Sequence, residues 1–308
     1  MSTASVASVV LDEARAWALL LELADRARRA QPAASARRLA LDSNGGLEPA
    51  GAGAAWIDLT AVGRRSFTTS CTLGAGAADL LDLYLPLCTG KHAGRLCIAH
   101  VGQSLDGQIA TASGASKNVT GPENIRHMHR LRALCDAVLV GAETAEADDP
   151  QLTTRLVPGK NPTRVVIDPT LRSTKDRRLY RDGAAPTLIL CSSACAEGAA
   201  RVGHAEVVAV PCSDRVLAPE SIIRALNERG LGRLFVEGGG VTVSRFLQAG
   251  ALSRLHVTIS PIFIGSGSPG IVLSGIDQLD QARRPRARRF DLGQDVLFDC
   301  DFSAHDAG

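Results

Sequence analysis

The chain is 308 residues long, 45% hydrophobic and 21% charged, with 34 basic against 32 acidic side chains and a formal charge near +2. Such a composition is globular, and its length suits one large domain or two modest ones. A charge balance so near zero asks for no polyanionic partner, and no apolar run reaches the ~18 residues of a membrane span.

Residues 9–30, containing "VVLDEARAWALLLELADRARR", place Val9, Ala16, Leu19, Leu20, Leu23 and Ala27 near helical spacing, which predicts an amphipathic helix. From Gln31 to about Ala55 the chain is rich in Ala, Gly and Pro, and "SNGGLEPAGAGAA" reads as a linker or long loop. "AWIDLTAVG" predicts a strand and "LLDLYLPLCTG" a short helix, so residues 1–93 form a small appendage. After Gly94 short β-branched runs alternate with helical patterns. Strands are expected at 95–101, 137–141, 164–168, 187–191, 206–210, 233–237, 254–260 and 295–300, with helices at 121–135, 219–229 and 241–249. This alternation predicts an α/β sheet that takes ligands at the carboxyl ends of its strands.

Eight cysteines, at positions 71, 88, 97, 135, 191, 195, 212 and 300, are scattered without a CxxC. That pattern fits buried free thiols in a reducing compartment, and no basic segment followed by an apolar run marks a secretory leader. The expectation is a cytoplasmic protein.

Three stretches concentrate chemistry. In "LFVEGGGVTVSRFL", residues 234–247, an apolar run ends at Glu237 and three glycines lead into a helical pattern. Glycines before a helix admit a phosphate to unpaired N–H groups, although a tight turn against a packed helix needs them equally. In the second, residues 101–141, a strand ends at Gly102 and a polar loop follows. Thr120 and Glu123 then form a T-x-x-E capping box before a helix with an apolar stripe of Met128, Leu131, Leu134 and Cys135. Arg132 borders that stripe, where a guanidinium calls for an anionic partner unless it snorkels to solvent. In the third, "VLVGAETAEADDPQLTTR", Thr144, Asp148, Asp149, Pro150 and Arg155 crowd a loop after Gly141. Asp149-Pro150 is ordinary turn chemistry, whereas Asp148 suits proton transfer and Arg155 a phosphate.

Two other stretches carry less. "GHAEVVAVPC" places His204 and Glu206 before Pro211-Cys212, but position 215 is Arg, and four residues between Glu206 and Pro211 are too few to close a deaminase zinc site. "RRPRARR", residues 283–289, reads as a solvated connection before the last strand. Aromatics amount to only 4% of the chain and offer no stacking platform for nucleic acid.

"SLDGQIATASG", "RALCDAVLVGAETAEADDPQLTTR", "RVVID" and "VEGGGVTVSRFL" followed by "ISPIFIGSG" resemble the reductase domain of the bifunctional riboflavin-biosynthesis deaminase/reductase, from about Leu96 to Phe302. The resemblance implies a dihydrofolate-reductase-like fold, a mixed, mostly parallel sheet flanked by helices over residues 94–308, commonly homodimeric. It implies NADPH-dependent reduction of 5-amino-6-(5-phosphoribosylamino)uracil to the ribitylamino product, with no metal. Carried over, Gly102, Asn118, Thr144 and Asp148 would line the cofactor, and Gly239, Gly240, Val241, Thr242, Val243, Ser244 and Arg245 would seat its phosphates. Ser116, Arg132, Leu152, Arg155 and Glu237 would surround the substrate, Arg132 and Arg155 at its 5-phosphate, and Asp148 or Glu237 would handle the proton. Where the family usually shows Trp-Ile-Thr, this chain reads Asn118-Val119-Thr120, and residues 1–93 carry no zinc ligands of a deaminase. The expectation is a reductase working beside a separate deaminase. The alternatives are a reductase of a related heterocycle or pterin, or a non-catalytic nucleotide-binding scaffold.

Overall fold

The computed structural model describes residues 10–29, 38–41, 47–49, 55–58, 67–89, 94–196, 198, 200–212 and 216–302, and the chain divides into two compact units, Met1–Arg95 and Leu96–Gly308. Among the described residues no helix is long and apolar enough to cross a membrane.

The first unit holds β1 (Val10–Leu11), α1 (Glu13–Arg28), β2 (Arg38–Leu41), β3 (Leu47–Pro49), β4 (Ala55–Asp58), β5 (Thr68–Thr69), β6 (Thr72–Leu73) and α2 (Ala77–Cys88). Helix α1 starts where Asp12 accepts a hydrogen bond from Arg15 N–H at 2.8 Å, satisfying one orphan donor of the first turn. Its buried face is Ala16, Trp17, Leu19, Leu20, Leu23 and Ala24, so Trp17 and Ala24 join the expected stripe while Ala27 stays half-exposed. Val9 of that stripe lies outside the described residues. Trp17 meets Tyr84 of α2 edge to face at 5.8 Å. The segment read as a linker contains two strands, β2 and β3, paired antiparallel.

The second unit runs β7 (Cys97–Ser104), β8 (Gln108–Thr111), α3 (Pro122–Leu134), β9 (Ala137–Gly141), α4 (Ala142–Asp148), β10 (Thr163–Ile167), α5 (Arg178–Arg181), β11 (Thr187–Ser192), β12 (Arg201–Val202), β13 (Ala205–Val210), α6 (Pro219–Asn227), β14 (Leu234–Val236), α7 (Gly240–Gln248), β15 (Arg254–Ser260), β16 (Gly267–Pro269), β17 (Arg286–Leu292) and β18 (Asp295–Asp301). Ten strands form one sheet in the order β12-β13-β11-β10-β9-β14-β7-β15-β18-β17. The seven from β13 to β15 are parallel, and β12, β18 and β17 are antiparallel to their neighbours. This is the α/β sheet that the alternation predicts, in the mixed, mostly parallel form that the resemblance implies.

Alternating side chains divide the sheet into two faces. Cys97, Ala99 and Val101 of β7, Leu139 of β9 and Leu255 of β15 join Ile222 and Leu226 of α6 and Val243, Phe246 and Leu247 of α7 in one apolar core. The opposite parity at β7 and β15 gives His100, His256 and Thr258, which meet Asn124 and His127 of α3. Thus the expected apolar stripe on α3 is only part of its buried face, which also carries Asn124, His127, His129 and Arg132.

Three local readings are corrected. The capping box is not made: Pro122 takes the first helical position, Gly121 becomes the N-cap without a side-chain bond, and the Thr120 hydroxyl accepts from Asn124 Nδ2 at 2.8 Å. The polar loop after Gly102 begins only beyond Ser104 and includes β8, which pairs antiparallel with β16. The run "RRPRARR" is half strand, because β17 begins at Arg286 and pairs with β18 throughout.

Candidate active site

Strand β14 enters late in the chain yet lies between β9 and β7, paired parallel to both, so the chain between β7 and β9 crosses over its position. The carboxyl ends of these strands bring Gly102, Gly141 and Glu237 to one edge. A cavity of about 390 Å³ opens there, lined among others by Gly102, Ser116, Thr144, Asp148, Glu237, Gly239 and Gly240. Of the residues expected in the site, these seven share its wall.

The three glycines before α7 do different work. A Cβ on Gly238 would stand 2.8 Å from Val140 Cα, and one on Gly240 would stand 2.4 Å from Pro269 O, both against backbone that cannot yield. Packing alone therefore demands those two. At Gly239 the nearest atom to a Cβ is Thr144 Oγ1, at 3.2 Å, and that hydroxyl accepts the Gly239 N–H at 3.3 Å. Gly239 faces the cavity as N-cap of α7; its carbonyl accepts the N–H groups of Thr242 and Val243, while the dipole of the helix start favours an anion.

We expect Gly240→Ala to lose about 1–3 kcal/mol of stability through overpacking, read as a lower denaturant midpoint, while Gly239→Ala keeps its midpoint. Equal losses in the two variants would show that Gly239, too, answers only to packing.

Helical geometry turns most of the following run away from the cavity. Val241 is exposed, Val243 is in the core, and the Ser244 hydroxyl accepts from Val272 N–H at 2.8 Å. Thr242 Oγ1 would stand 2.9 Å from a Cβ at Gly141, so it packs against the end of β9. Arg245 is exposed one turn further on.

Glu237 meets Arg132 across the crevice. Arg132 Nε donates to Glu237 Oε2 at 2.7 Å, Nη2 donates to Oε1, and Nη1 donates to the Thr153 carbonyl at 3.0 Å. Both side chains are 8% exposed. The anionic partner that Arg132 required is thus Glu237, and all three guanidinium nitrogens are engaged inside the protein rather than presented to a phosphate. Arg155 is exposed beside this pair; its N–H donates to His129 Nδ1 at 2.9 Å and its Nη1 to Thr153 Oγ1 at 2.7 Å. Burial, then the charges of Arg132 and Arg155, push His129 down to about 4, so the ring is a neutral acceptor. Leu152 is buried with a left-handed backbone, φ 53°, at the bend that carries the chain to Thr153.

Asp148 ends α4, a helix where the sequence suggested a loop, and burial raises its carboxyl against the lowering effect of Lys117. Asp149 takes φ 41° and accepts from Arg178 N–H at 2.7 Å, as the turn reading requires. Asn118 also has a positive φ, 64°, which asparagine tolerates better than most side chains; it is exposed and does not line the cavity. At the other motif weighed above, Glu206 pairs with Arg229 at 2.8 Å. Among the described residues, no group of three or more His, Cys, Asp and Glu could hold a metal ion.

Residues 95–296 match the family model described as the RibD C-terminal domain. The chain belongs to this family. Over 206 residues it is 34% identical to the 2,5-diamino-6-ribosylamino-4(3H)-pyrimidinone 5′-phosphate reductase of Methanothermobacter thermautotrophicus, covering 65% of this chain and 94% of that protein. It is also 34% identical over 197 residues to the riboflavin biosynthesis protein RibD of Aquifex aeolicus, covering 63% of this chain but 54% of that one. The chain thus matches about half the length of that RibD protein. Among solved structures it resembles the diaminohydroxyphosphoribosylaminopyrimidine deaminase/5-amino-6-(5-phosphoribosylamino)uracil reductase of Thermotoga maritima, with TM-score 0.57, 25% identity, and coverage of 75% of this chain and 63% of that one.

Within this RibD C-terminal domain the cavity also draws on residues that sequence reading passed over: His100, Ile109, Ala110, Asn124, Glu143 and Ser268. Ile109 and Ala110 belong to β8, hidden in a stretch that looks polar. His100 had one signal, a lone imidazole in "CIAHV" two residues before a strand-end glycine.

Proposed function

We propose that this RibD C-terminal domain protein reduces a ribosylaminopyrimidine 5′-phosphate to its ribityl form with NADPH, as a reductase of riboflavin synthesis. The convergence of Gly102, Ser116, Thr144, Asp148, Glu237 and the glycine-fronted start of α7 on one cavity carries this reading. NADPH suits what the residues offer, since Gly239 brings no side chain between the first-turn amides of α7 and the cavity. In this reading Gly102, Thr144, Asp148, Gly239 and Gly240, which line the cavity, hold it, whereas Asn118 and the run from Val241 to Arg245, expected beside it from the sequence, stand away from that wall. Bound NADPH supplies a hydride.

The protein's own share is positioning and proton handling. Arg155 takes the phosphate of the substrate, Ser116 and Leu152 border it, and Arg132 fixes Glu237. Glu237, paired with a guanidinium, is an acceptor for sugar hydroxyls rather than a proton donor. Asp148, whose burial favours the protonated form, gives up the proton that the reduction consumes. A homodimer, a cytoplasmic setting and a separate deaminase complete the reading.

The test follows loss of NADPH absorbance with 5-amino-6-(5-phosphoribosylamino)uracil and with its 2,5-diaminopyrimidinone counterpart. We expect substrate-dependent oxidation, with kcat lower by about 100-fold or more in Asp148→Asn and KM higher by about 10-fold or more in Arg155→Ala. If protein that binds NADPH oxidises it with neither substrate, the pyrimidine assignment falls in favour of another heterocycle or a pterin. If NADPH does not bind, the reductase reading falls to a non-catalytic one.

A further inference from the structure

The chain that follows α4 is gripped by α3. His129 and Arg132, three residues apart on that helix, are both buried. Arg132 Nη1 donates to the Thr153 carbonyl at 3.0 Å, and His129 Nδ1 accepts the Arg155 N–H at 2.9 Å. Between them, the Thr154 N–H donates to Asn161 Oδ1 at 2.8 Å and its hydroxyl to the Lys160 carbonyl at 3.1 Å. The three residues 153–155 are therefore each held by a neighbour outside the segment. Because Nδ1 accepts, the neutral His129 ring carries its hydrogen on Nε2. The 3.5 Å approach of Nε2 to Arg132 Nη1 thus sets donor against donor and is not a bond.

The Arg155 guanidinium is tied as well. Its Nη1 donates to the buried Thr153 Oγ1 at 2.7 Å, while among the described residues its Nε and Nη2 have no hydrogen-bond partner. Those two nitrogens form one edge of the planar group, and that edge matches two oxygens of a phosphate. The charges nearby leave this cation unmatched. Arg132 is paired with Glu237 and Arg178 with Asp149, whereas Arg155 has no carboxylate ion pair among the described residues. Partial burial, then the like charge of Arg132, work against the Arg155 cation and outweigh the help of Glu237. An exposed arginine under such repulsion swings into solvent unless it is tethered. Here one bond to its main chain and one to its side chain hold it.

We propose that His129 and Thr153 are the positioning residues of the phosphate site: they hold Arg155 at its main chain and at Nη1, so that its Nε–Nη2 edge is set for the 5′-phosphate before the substrate arrives. This rests on the placement of that phosphate at Arg155 in the reading above. Their part is preorganisation, because a tethered arginine has already given up the side-chain freedom that a loose one loses on binding.

The experiment takes whichever of the two pyrimidine phosphates the wild type reduces with NADPH, together with its 5′-dephosphorylated form. It measures kcat and KM for both in the wild type, His129→Leu, His129→Asn, Thr153→Val, Arg155→Ala and the double variant His129→Leu with Arg155→Ala. In His129→Leu and in Thr153→Val, kcat/KM for the phosphorylated over the dephosphorylated compound is expected to fall by about 3- to 10-fold, through KM and not through kcat. His129→Asn, whose Oδ1 can replace Nδ1 as acceptor, restores the ratio, and His129→Leu costs nothing further once Arg155 is alanine. An unchanged ratio, a loss carried by kcat, a ratio in His129→Asn as low as in His129→Leu, or full additivity with Arg155→Ala overturns the proposal and leaves the reductase reading standing. If Arg155→Ala itself spares the ratio, the phosphate lies elsewhere and the proposal falls with that placement. Turnover of neither pyrimidine overturns the reductase reading itself. Should His129→Leu fail to fold, Thr153→Val decides, since it removes the other tether with little change in size.

Discussion

Replacing Glu237 by alanine is expected to lower the stability of the Leu96–Gly308 unit by about 3–5 kcal/mol, because it leaves the Arg132 guanidinium buried without its counter-charge. Two of that group's nitrogens point at Glu237, and only Nη1 keeps a partner, the Thr153 carbonyl. The loss is large against a typical total of about 5–15 kcal/mol. Denaturant unfolding followed by circular dichroism checks it. Arg132→Met combined with Glu237→Leu is expected to recover most of the midpoint, since apolar pairs of similar volume replace buried ion pairs without penalty. That double variant should remain inactive, which separates the role of the pair at the site from its role in the fold. A single Glu237→Ala variant as stable as the wild type would mean that the two charges are not closed off from water.

Acid should unfold this protein earlier than its carboxylates alone predict. His100 and His127 are buried and pushed down, His100 to about 3, from an ordinary value of 6.5. In the unfolded chain both bind protons near 6.5, so below that pH the unfolded state holds more protons than the folded one and stability falls as pH falls. Such a group contributes about 1.4 kcal/mol per pH unit, so His100 alone removes about 2.5 kcal/mol between roughly pH 6.5 and 4.5, and His127 acts in the same direction. His129, pushed down to about 4, acts in the same direction. Asp299 adds its own loss at lower pH: burial would raise it, but His256, Arg254 and Arg288 win and hold its carboxyl far below the usual range. Denaturant midpoints measured in steps from pH 7.5 to 4.5 test this, and a flat profile down to pH 5 would contradict the neutral buried histidines.

The parallel centre of the sheet was legible because strands covered on both faces read as continuous apolar runs; β9, "AVLVG", and β11, "TLILCS", fell where expected. The borders were not. Strand β17, "RARRFDL", has no apolar alternation to announce it and is a strand because β18 pairs with it along its whole length. Helix α4 was masked by Asp148-Asp149-Pro150, which ends the helix yet reads as the whole of a turn. At the site, Glu237 and Arg132 were each visible as singular residues, but 105 positions separate them and only the β14 insertion makes them a pair. The polar layer beneath α3 was beyond sequence reading for the same reason. His100 and His256 are isolated within apolar strands, and the register that sets them side by side exists only once β7 and β15 have paired.

The borders of the large sheet have a consequence for crowded solution. A parallel sheet with open flanks is a template on which a foreign strand can grow. Here one flank ends in β12, two residues long, and the other in β17, where Arg286, Arg288 and Arg289 stand along the rim. Arg288 reaches back to Asp299 at 2.8 Å and lies over Phe290, while Arg289 turns to Asp291 at 2.9 Å. An incoming strand would have to desolvate Arg286 and the Arg289–Asp291 pair as it approached that edge. The charged half of "RRPRARR" on β17 accordingly disfavours the growth of a further strand on that edge, in the folded chain at high concentration.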